Sequence, residues 1–176
     1  MKRSLLAVTI ALVGCASNKI EITQSRTASP GPFSRLAVFM SIPANGFDRG
    51  IYHGFQRTIA SELAACGVEA AVVQGMPADR DGDAPTSDAR LIIRAREGEL
   101  ATVTTVDQYG NVLDEKAFKH VDLALWLELR ENKQKRVTWQ AFANLHLEDS
   151  GATVGENFAH RVVARLRSDG VLGRCR

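Results

Sequence analysis

Two long stretches of alternating side chains constrain the fold of this chain more than any other feature. Every second residue from Val121 to Leu129 is apolar, and the charged residues of this stretch lie between them. The same alternation returns from Val137 to Leu147. A period of two residues is typical of a strand that buries one face against a core. The sequence therefore predicts a pair of long antiparallel strands that share one apolar face.

The register of this pair follows from its two apolar sets, which must lie on the same face of the sheet. A slip of one residue would turn every side chain of one strand to the opposite face. A loop of three or five residues within Asn132–Arg136 satisfies the requirement, whereas a two-residue turn does not. The five-residue loop predicts compatible cross-strand pairs: Leu129 with Trp139, Leu125 with Ala143, Trp126 with Phe142, Glu128 with Gln140, and Asp122 with His146.

Two other segments show the spacing of amphipathic helices. The first begins after Asp48, a residue suited to cap a helix, and stops at Gly67, a residue suited to end one. The second runs from Glu156 to Ser168 and stops at Gly170. The residues expected on the buried faces are Ile51, Phe55, Ile59 and Leu63 in the first helix, and Phe158, Val162, Val163 and Leu166 in the second.

Shorter apolar runs predict further strands at residues 36–40, 68–73, 89–96 and 99–106. Packing both helices on the leucine face of the long strands gives an α+β fold, a mostly antiparallel sheet with two helices packed on one face. We assign residues 35–176 to this single domain. The order of elements resembles small envelope lipoprotein domains, such as the amino-terminal domain of TolB and the periplasmic part of the curli secretion lipoprotein. The resemblance carries no site residue with it.

The first fifteen residues have the features of a secretory signal. Lys2 and Arg3 precede an apolar run that ends at Val13 and is too short to cross about 30 Å of hydrocarbon. The run closes with Leu12-Val13-Gly14-Cys15, which resembles the lipobox of bacterial lipoproteins. That resemblance implies cleavage before Cys15 and lipidation of its thiol, with acyl chains such as palmitate. The alternative is an ordinary signal peptide with an incidental cysteine.

The lipobox resemblance also implies a location in the cell envelope. Residues 1–14 become a signal peptide, and residues 15–34, which are rich in small and polar residues, become a lipidated flexible tether. Ile20 and Ile22 can add a short edge strand within this tether. No aspartate directly follows Cys15, which in the enteric sorting rule favours the outer membrane, with the domain facing the periplasm. The membrane, reached through the lipid anchor, is the first partner expected.

The charge balance excludes one class of partner. Removing residues 1–14 takes away two of the 22 basic residues and leaves 20 against 20 acidic ones. A neutral mature chain has no strong positive field to attract nucleic acid. We therefore expect no nucleic-acid partner.

The remaining cysteines, Cys66 and Cys175, lie near the ends of the two predicted helices. Thiols exported to an oxidising compartment tend to pair, and an even count favours pairing. We predict a disulfide between them. A buried Cys66 with a free Cys175 is the alternative.

No pattern in the chain points to catalysis. The four histidines lack metal-ligand spacing, and Asp79, Asp81 and Asp83 form a cluster more typical of a turn than of a calcium site. His146 opposite Asp122 would orient a general base, but no serine motif supplies a nucleophile. We therefore predict no enzyme, no catalytic residue, no metal and no cofactor.

Trp126 and Phe142 are the candidate binding residues, because they interrupt the polar face of the long strands. An aromatic patch rimmed by polar groups is a common partner site, and cover by the tether or a loop is the alternative. The first hypothesis is a non-enzymatic accessory lipoprotein that binds another envelope protein through this face. The second is a glycan-binding or small-ligand-binding module, since the apolar faces of sugars stack on aromatic rings. A cell-wall hydrolase is the third.

Overall fold

The structure is a computed structural model that describes residues 19–28, 32–42, 49–75, 87–95, 102–105, 109, 111, 119–132, 136–147, 151–173 and 175. The described residues form two helices, α1 Arg49–Ala65 and α2 Ala152–Ser168. They also form seven strands: β1 Lys19–Thr27, β2 Arg35–Ser41, β3 Glu69–Gln74, β4 Ala89–Ala95, β5 Thr102–Thr105, β6 Lys119–Glu131 and β7 Arg136–Leu147.

The strands form one mixed sheet in the order β1-β7-β6-β4-β2-β3, with β5 also paired to β6. β2 runs parallel to its neighbours β3 and β4, and the other pairings are antiparallel. β4 and β5 lie end to end along one side of β6, because β4 pairs with residues 125–131 and β5 with residues 119–122. This arrangement confirms the α+β class with a mostly antiparallel sheet.

The apolar face of the long strands carries the core. The leucines of β6 and the fully buried Trp139 of β7 belong to one cluster with the apolar faces of α1 and α2. The rings of Phe55 and Phe158 link the two helices at a centroid distance of 5.2 Å. All eight helical residues assigned to buried faces from their spacing are buried. We call the opposite face of the sheet, which points away from the helices, the open face.

The hairpin of β6 and β7 has the register that the alternation predicted. All five cross-strand pairs are present, from Leu129 with Trp139 to Asp122 with His146. The predicted five-residue loop is nevertheless wrong by one residue, because β7 already begins at Arg136. A β-bulge between Leu129 and Arg130 shifts the register there. The connection between Glu131 and Arg136 has four residues, and without the bulge this even number would place the two apolar sets on opposite faces. The extra residue of the bulge returns them to the same face.

The second helix begins one turn earlier than its predicted start at Glu156. α2 starts at Ala152, and Val154 and Gly155 in its first turn are buried. Gly155 and the β-branched Thr153 and Val154 have low helix propensity, which is why this turn resembles a loop in the sequence. Packing against α1 outweighs that preference.

Both helices end at the glycines that the sequence indicated. Gly67 and Gly170 have φ values of 77° and 72°, in the left-handed region where glycine carries no steric penalty. In each case the residue after the glycine donates its backbone N–H to the carbonyl five residues earlier, at a distance of 2.9 Å. This is the Schellman arrangement, which satisfies carbonyls at the end of a helix. Asp48, the predicted cap of the first helix, lies outside the described residues.

The first strand corrects the expectation of a flexible tether over residues 15–34. Residues 19–27 form the nine-residue β1, which pairs with the edge of β7, so the tether prediction is wrong for this segment. Ile20 is only 9% exposed, and Ile22 packs against the same core. Hydrogen bonds to β7 and these two side chains hold a strand that is longer than the sequence suggested. No helix within the described ranges is long and apolar enough to cross a membrane.

The two helices cross at a pair of glycines with their backbones in contact. A Cβ atom on Gly155 would lie 1.9 Å from the carbonyl oxygen of Ile51, and one on Gly54 would lie 2.0 Å from that of Ala152. Both distances are far inside van der Waals contact. Only hydrogen fits at these two positions unless the helices move apart.

We expect Gly155→Ala to lower the free energy of unfolding by about 3 kcal/mol or more, because the helices must separate to admit the methyl group. Urea unfolding followed by circular dichroism measures this change. Gly173→Ala is the matched control, since a Cβ there meets nothing within 4 Å. Equal unfolding midpoints for the two variants would contradict the close crossing.

Candidate binding site on the open sheet face

Trp126 and Phe142 lie side by side on the open face, at facing positions of β6 and β7. Their rings meet edge to face, with centroids 4.4 Å apart and planes at 87°. Both side chains are partly exposed. An edge-to-face contact between aromatic rings adds stability beyond that gained by burying their surfaces. Each ring therefore restrains the other.

A half-enclosed pocket of about 420 Å³ opens beside the aromatic pair. Its lining consists of Ser25, Arg26, Trp126, Gln140 and Phe142. Pockets that hold small ligands have volumes of this order and combine apolar walls with a few polar groups. Ser25 and Arg26, which lie within the segment predicted as a tether, thus supply one wall of the pocket.

A bulge in β1 brings Arg26 to this pocket. β1 pairs regularly with β7 up to Thr23, after which the register shifts by one residue and Arg26 lies opposite Gln140. In a regular ladder, Ser25 would face Gln140, and Arg26 would face the buried Trp139 on the core side. The extra residue therefore turns the Arg26 guanidinium to the open face. No local signal in the sequence marks such a bulge, so Ser25 and Arg26 are not predictable as lining residues from the sequence alone.

Arg165 of α2 holds the bulge in place from the other side of the edge. Its Nε donates to the Ser25 hydroxyl and to Asp169 Oδ2, each at a distance of 3.1 Å. Asp169 Oδ2 also accepts the indole N–H of Trp139 at 2.8 Å. Burial opposes the ionisation of Asp169, but hydrogen bonds from Trp139, Ser25 and Arg165 outweigh it and lower the pKa of this carboxyl. The edge strand, the helix end and the core are thereby joined.

Glu128 organises the polar side of the pocket, although it is only 6% exposed. Its Oε2 accepts the indole N–H of Trp126 at 3.4 Å and the amide N–H of Gln140 at 3.3 Å, while its Oε1 accepts from Arg130 Nε. Burial would raise the pKa of Glu128. The hydrogen bond and charge of Arg130, with the bonds from Gln140 and Trp126, outweigh burial and lower the pKa. This carboxylate therefore orients two residues of the lining.

The charges around the pocket are mainly positive. Arg26 is exposed and lines the pocket, and Arg94 lies opposite Trp126 on the neighbouring β4. Among the described residues, neither guanidinium has an acidic partner. The charge of Glu128 is balanced by Arg130. The pocket thus combines an aromatic wall with an uncompensated cation.

The other candidate residues lie away from this pocket. Cys66 and Cys175 form a disulfide at the end of the helical layer, the pairing that the sequence favoured. His146 pairs with Asp122 at an Nδ1–Oδ1 distance of 2.5 Å, as the register predicted, but neither residue lines the pocket. Cys15 lies outside the described residues.

Of the aspartates in and just beyond the acidic cluster, only Asp88 lies among the described residues. Asp79, Asp81 and Asp83 lie outside the described residues. Asp88 accepts the backbone N–H and the hydroxyl of Ser34 and the backbone N–H of Arg35, each at 3.0 Å, and these bonds lower its pKa. In the part of the chain that the structure describes, no group of three His, Cys, Asp or Glu side chains could hold a metal ion.

No family model and no curated protein matches the chain in sequence. Several solved structures are similar at low identity. A PelC dodecamer from Paraburkholderia phytofirmans has a TM-score of 0.44 and 16% identity, covering 87% of this chain and 96% of its own. Lipoprotein GNA1162 from Neisseria meningitidis has a TM-score of 0.39 and 14% identity, covering 78% and 99%. A putative neuraminyllactose-binding hemagglutinin homolog from Helicobacter pylori has a TM-score of 0.39 and 14% identity, covering 77% and 82%. No site is transferred from them.

We expect Glu128→Gln to destabilise the protein at pH 7 by about 1–3 kcal/mol, because charge-assisted hydrogen bonds to a buried carboxylate are lost. The lowered folded-state pKa means that this contribution is complete above the unfolded pKa, about 4.3, and fades as the pH falls through the folded value. Urea unfolding at several pH values should therefore show the two proteins converging in acid.

The matched control for this experiment is Glu69→Gln, which changes an exposed carboxylate on β3. This variant should follow the wild type at every pH. A constant difference between wild type and Glu128→Gln from pH 7 down to about pH 3 would show that ionisation of Glu128 contributes nothing.

Proposed function

We propose that this chain is a lipid-anchored, non-enzymatic binding module of the bacterial cell envelope, and that it binds its partner through the pocket beside Trp126 and Phe142. The observation that carries the proposal is the pocket itself, in which a partly exposed aromatic pair meets an exposed guanidinium. Oriented aromatic rings with a few polar groups are the usual composition of a recognition site. The lipobox supports the anchor, and the location facing the periplasm follows from it.

The anchor and the pocket are close along the chain, which limits their separation. Cys15 precedes the start of β1 by four residues, a span of at most about 14 Å. Arg26 lies seven residues further along β1, about 23 Å at the rise of a strand. The pocket would then stand within about 40 Å of the lipidated cysteine. Its partner would belong to the layer next to the membrane.

Lipidation is tested by labelling cells with a palmitate analogue. We expect the wild-type chain to carry the label and to sediment with membranes. Cys15→Ser should lose the label and leave the membrane fraction, because position 15 has no thiol to accept the lipid. Cys175→Ser serves as the control and should keep the label. An unlabelled wild type would remove the anchor from the proposal.

Partner binding is tested by affinity purification from cross-linked envelopes. We expect Trp126→Ala and Phe142→Ala to reduce the recovered partner at least several-fold, because both rings border the pocket. Val73→Ala is the control, since Val73 is an exposed apolar residue on β3 at the other edge of the sheet. Thermal unfolding of each variant establishes that the domain is intact. Undiminished recovery with both folded aromatic variants would contradict the site.

Two kinds of partner fit such a module, a segment of an envelope protein or a glycan. The half-enclosed shape of the pocket favours the glycan, because a flat and wide patch is more usual between folded proteins. The glycan-binding module is therefore the second candidate function, and it uses the same residues.

A further inference from the structure

We infer that the pocket beside Trp126 takes an acidic sugar, a glycan unit that carries a carboxylate. The inference rests on the proposed function of this pocket as the binding site of the module. It assigns the ligand class from three features: the apolar surface of Trp126, the cation of Arg26 and the amide of Gln140.

The aromatic wall suits the ring of a sugar. The only polar atom of the Trp126 side chain, Nε1, already donates to Glu128. What the indole offers to a ligand is therefore apolar surface with π-electron density. Phe142 packs against it at 87° and restricts its movement. A rigid apolar ring face loses little conformational freedom on meeting the C–H face of a sugar ring.

The polar side of the pocket suits a carboxylate. A guanidinium presents its N–H donors in a planar fork that matches the two oxygens of a carboxylate. Arg26 is exposed, and among the described residues it has no acidic partner. Gln140 uses one N–H of its amide on Glu128, and an amide group has a second. Arg26 and Gln140 are cross-strand neighbours in the β1–β7 pairing and both line the pocket, so one anionic group can meet both side chains.

The surrounding charges favour an anion over a neutral or cationic ligand. Glu128 is the nearby carboxylate, but it is buried and balanced by Arg130. Arg94, opposite Trp126 on β4, adds a second positive charge. A neutral sugar would leave the Arg26 guanidinium without a partner. The acidic side chains of a peptide would meet the cation, but Asp and Glu have no rigid apolar face for the indole.

Tryptophan fluorescence of the full-length protein tests the inference directly. The chain has two tryptophans, and Trp139 is fully buried, so a ligand-dependent change reports on Trp126. The probes are tetragalacturonate and a sialic acid tetramer, with maltotetraose as the neutral comparison. We expect both acidic tetramers to bind and Arg26→Gln to weaken them about 10- to 100-fold, the effect of losing charge-assisted hydrogen bonds. Arg161→Gln, which removes an exposed charge on α2, should bind like the wild type.

Four results would overturn the inference. One is an equal affinity for maltotetraose, another is an unchanged affinity in Arg26→Gln, and the third is no binding of either acidic tetramer. The fourth is hexaglutamate binding as tightly as the acidic sugars, which would replace the glycan with an acidic peptide. These results leave the cross-linking experiment untouched. Loss of partner recovery in Trp126→Ala without sugar binding would keep the binding module and discard only its acidic-sugar ligand.

Discussion

The contact between the backbones of α1 and α2 is the constraint on which the rest of the structure depends. Gly54 and Gly155 have no side chain, and the carbonyl oxygens of the partner helix occupy the space where a Cβ would stand. This close approach lets two helices cover one face of the sheet as a single layer. It also fixes where α2 ends, because a helix is rigid along its length. Arg165 and Asp169 thereby reach the edge of the sheet.

The end of α2 then determines the shape of the open face, on the far side of the sheet. Arg165 bonds the Ser25 hydroxyl within the β1 bulge, and Asp169 holds the buried indole of Trp139. The bulge is what turns Arg26 away from the core. The packing of two helices is therefore connected, through one edge strand, to the polar wall of a pocket that no helix residue lines.

The two bulges between described strands each change which face of the sheet the following side chains occupy. A regular strand cannot make that change. In β7 the extra residue keeps two apolar sets on one face despite the connection between the strands. In β1 the extra residue does the reverse for a charged side chain, since it brings Arg26 out of the core face. A strand has only two faces, so one inserted residue is the smallest change that reassigns every side chain beyond it.

These bulges also explain what the sequence could and could not predict. The alternation from Val121 to Leu147 defines which residues share a face, so the register of β6 and β7 and the pairing of Trp126 with Phe142 followed from it. The helical faces followed from spacing in the same way. β1 did not, because only Ile20 and Ile22 mark it, and its remaining stability comes from the exposed edge of β7. The start of α2 was not predictable for a similar reason. Gly155 is unfavourable in an isolated helix, but the crossing with α1 requires it.

The two halves of the candidate site also differ in how far the sequence predicts them. Its aromatic half lies on strands whose pattern is visible in the sequence, and its cationic half lies on a strand whose position is decided by tertiary contacts. Glu128 joins the two halves, because a buried carboxylate must be satisfied and its donors come from Trp126, Gln140 and Arg130. An apolar residue at this position would leave the indole and the amide without a common acceptor. The buried charge therefore orients the lining, while Arg26, which shares no bond with Glu128, keeps its guanidinium for a ligand.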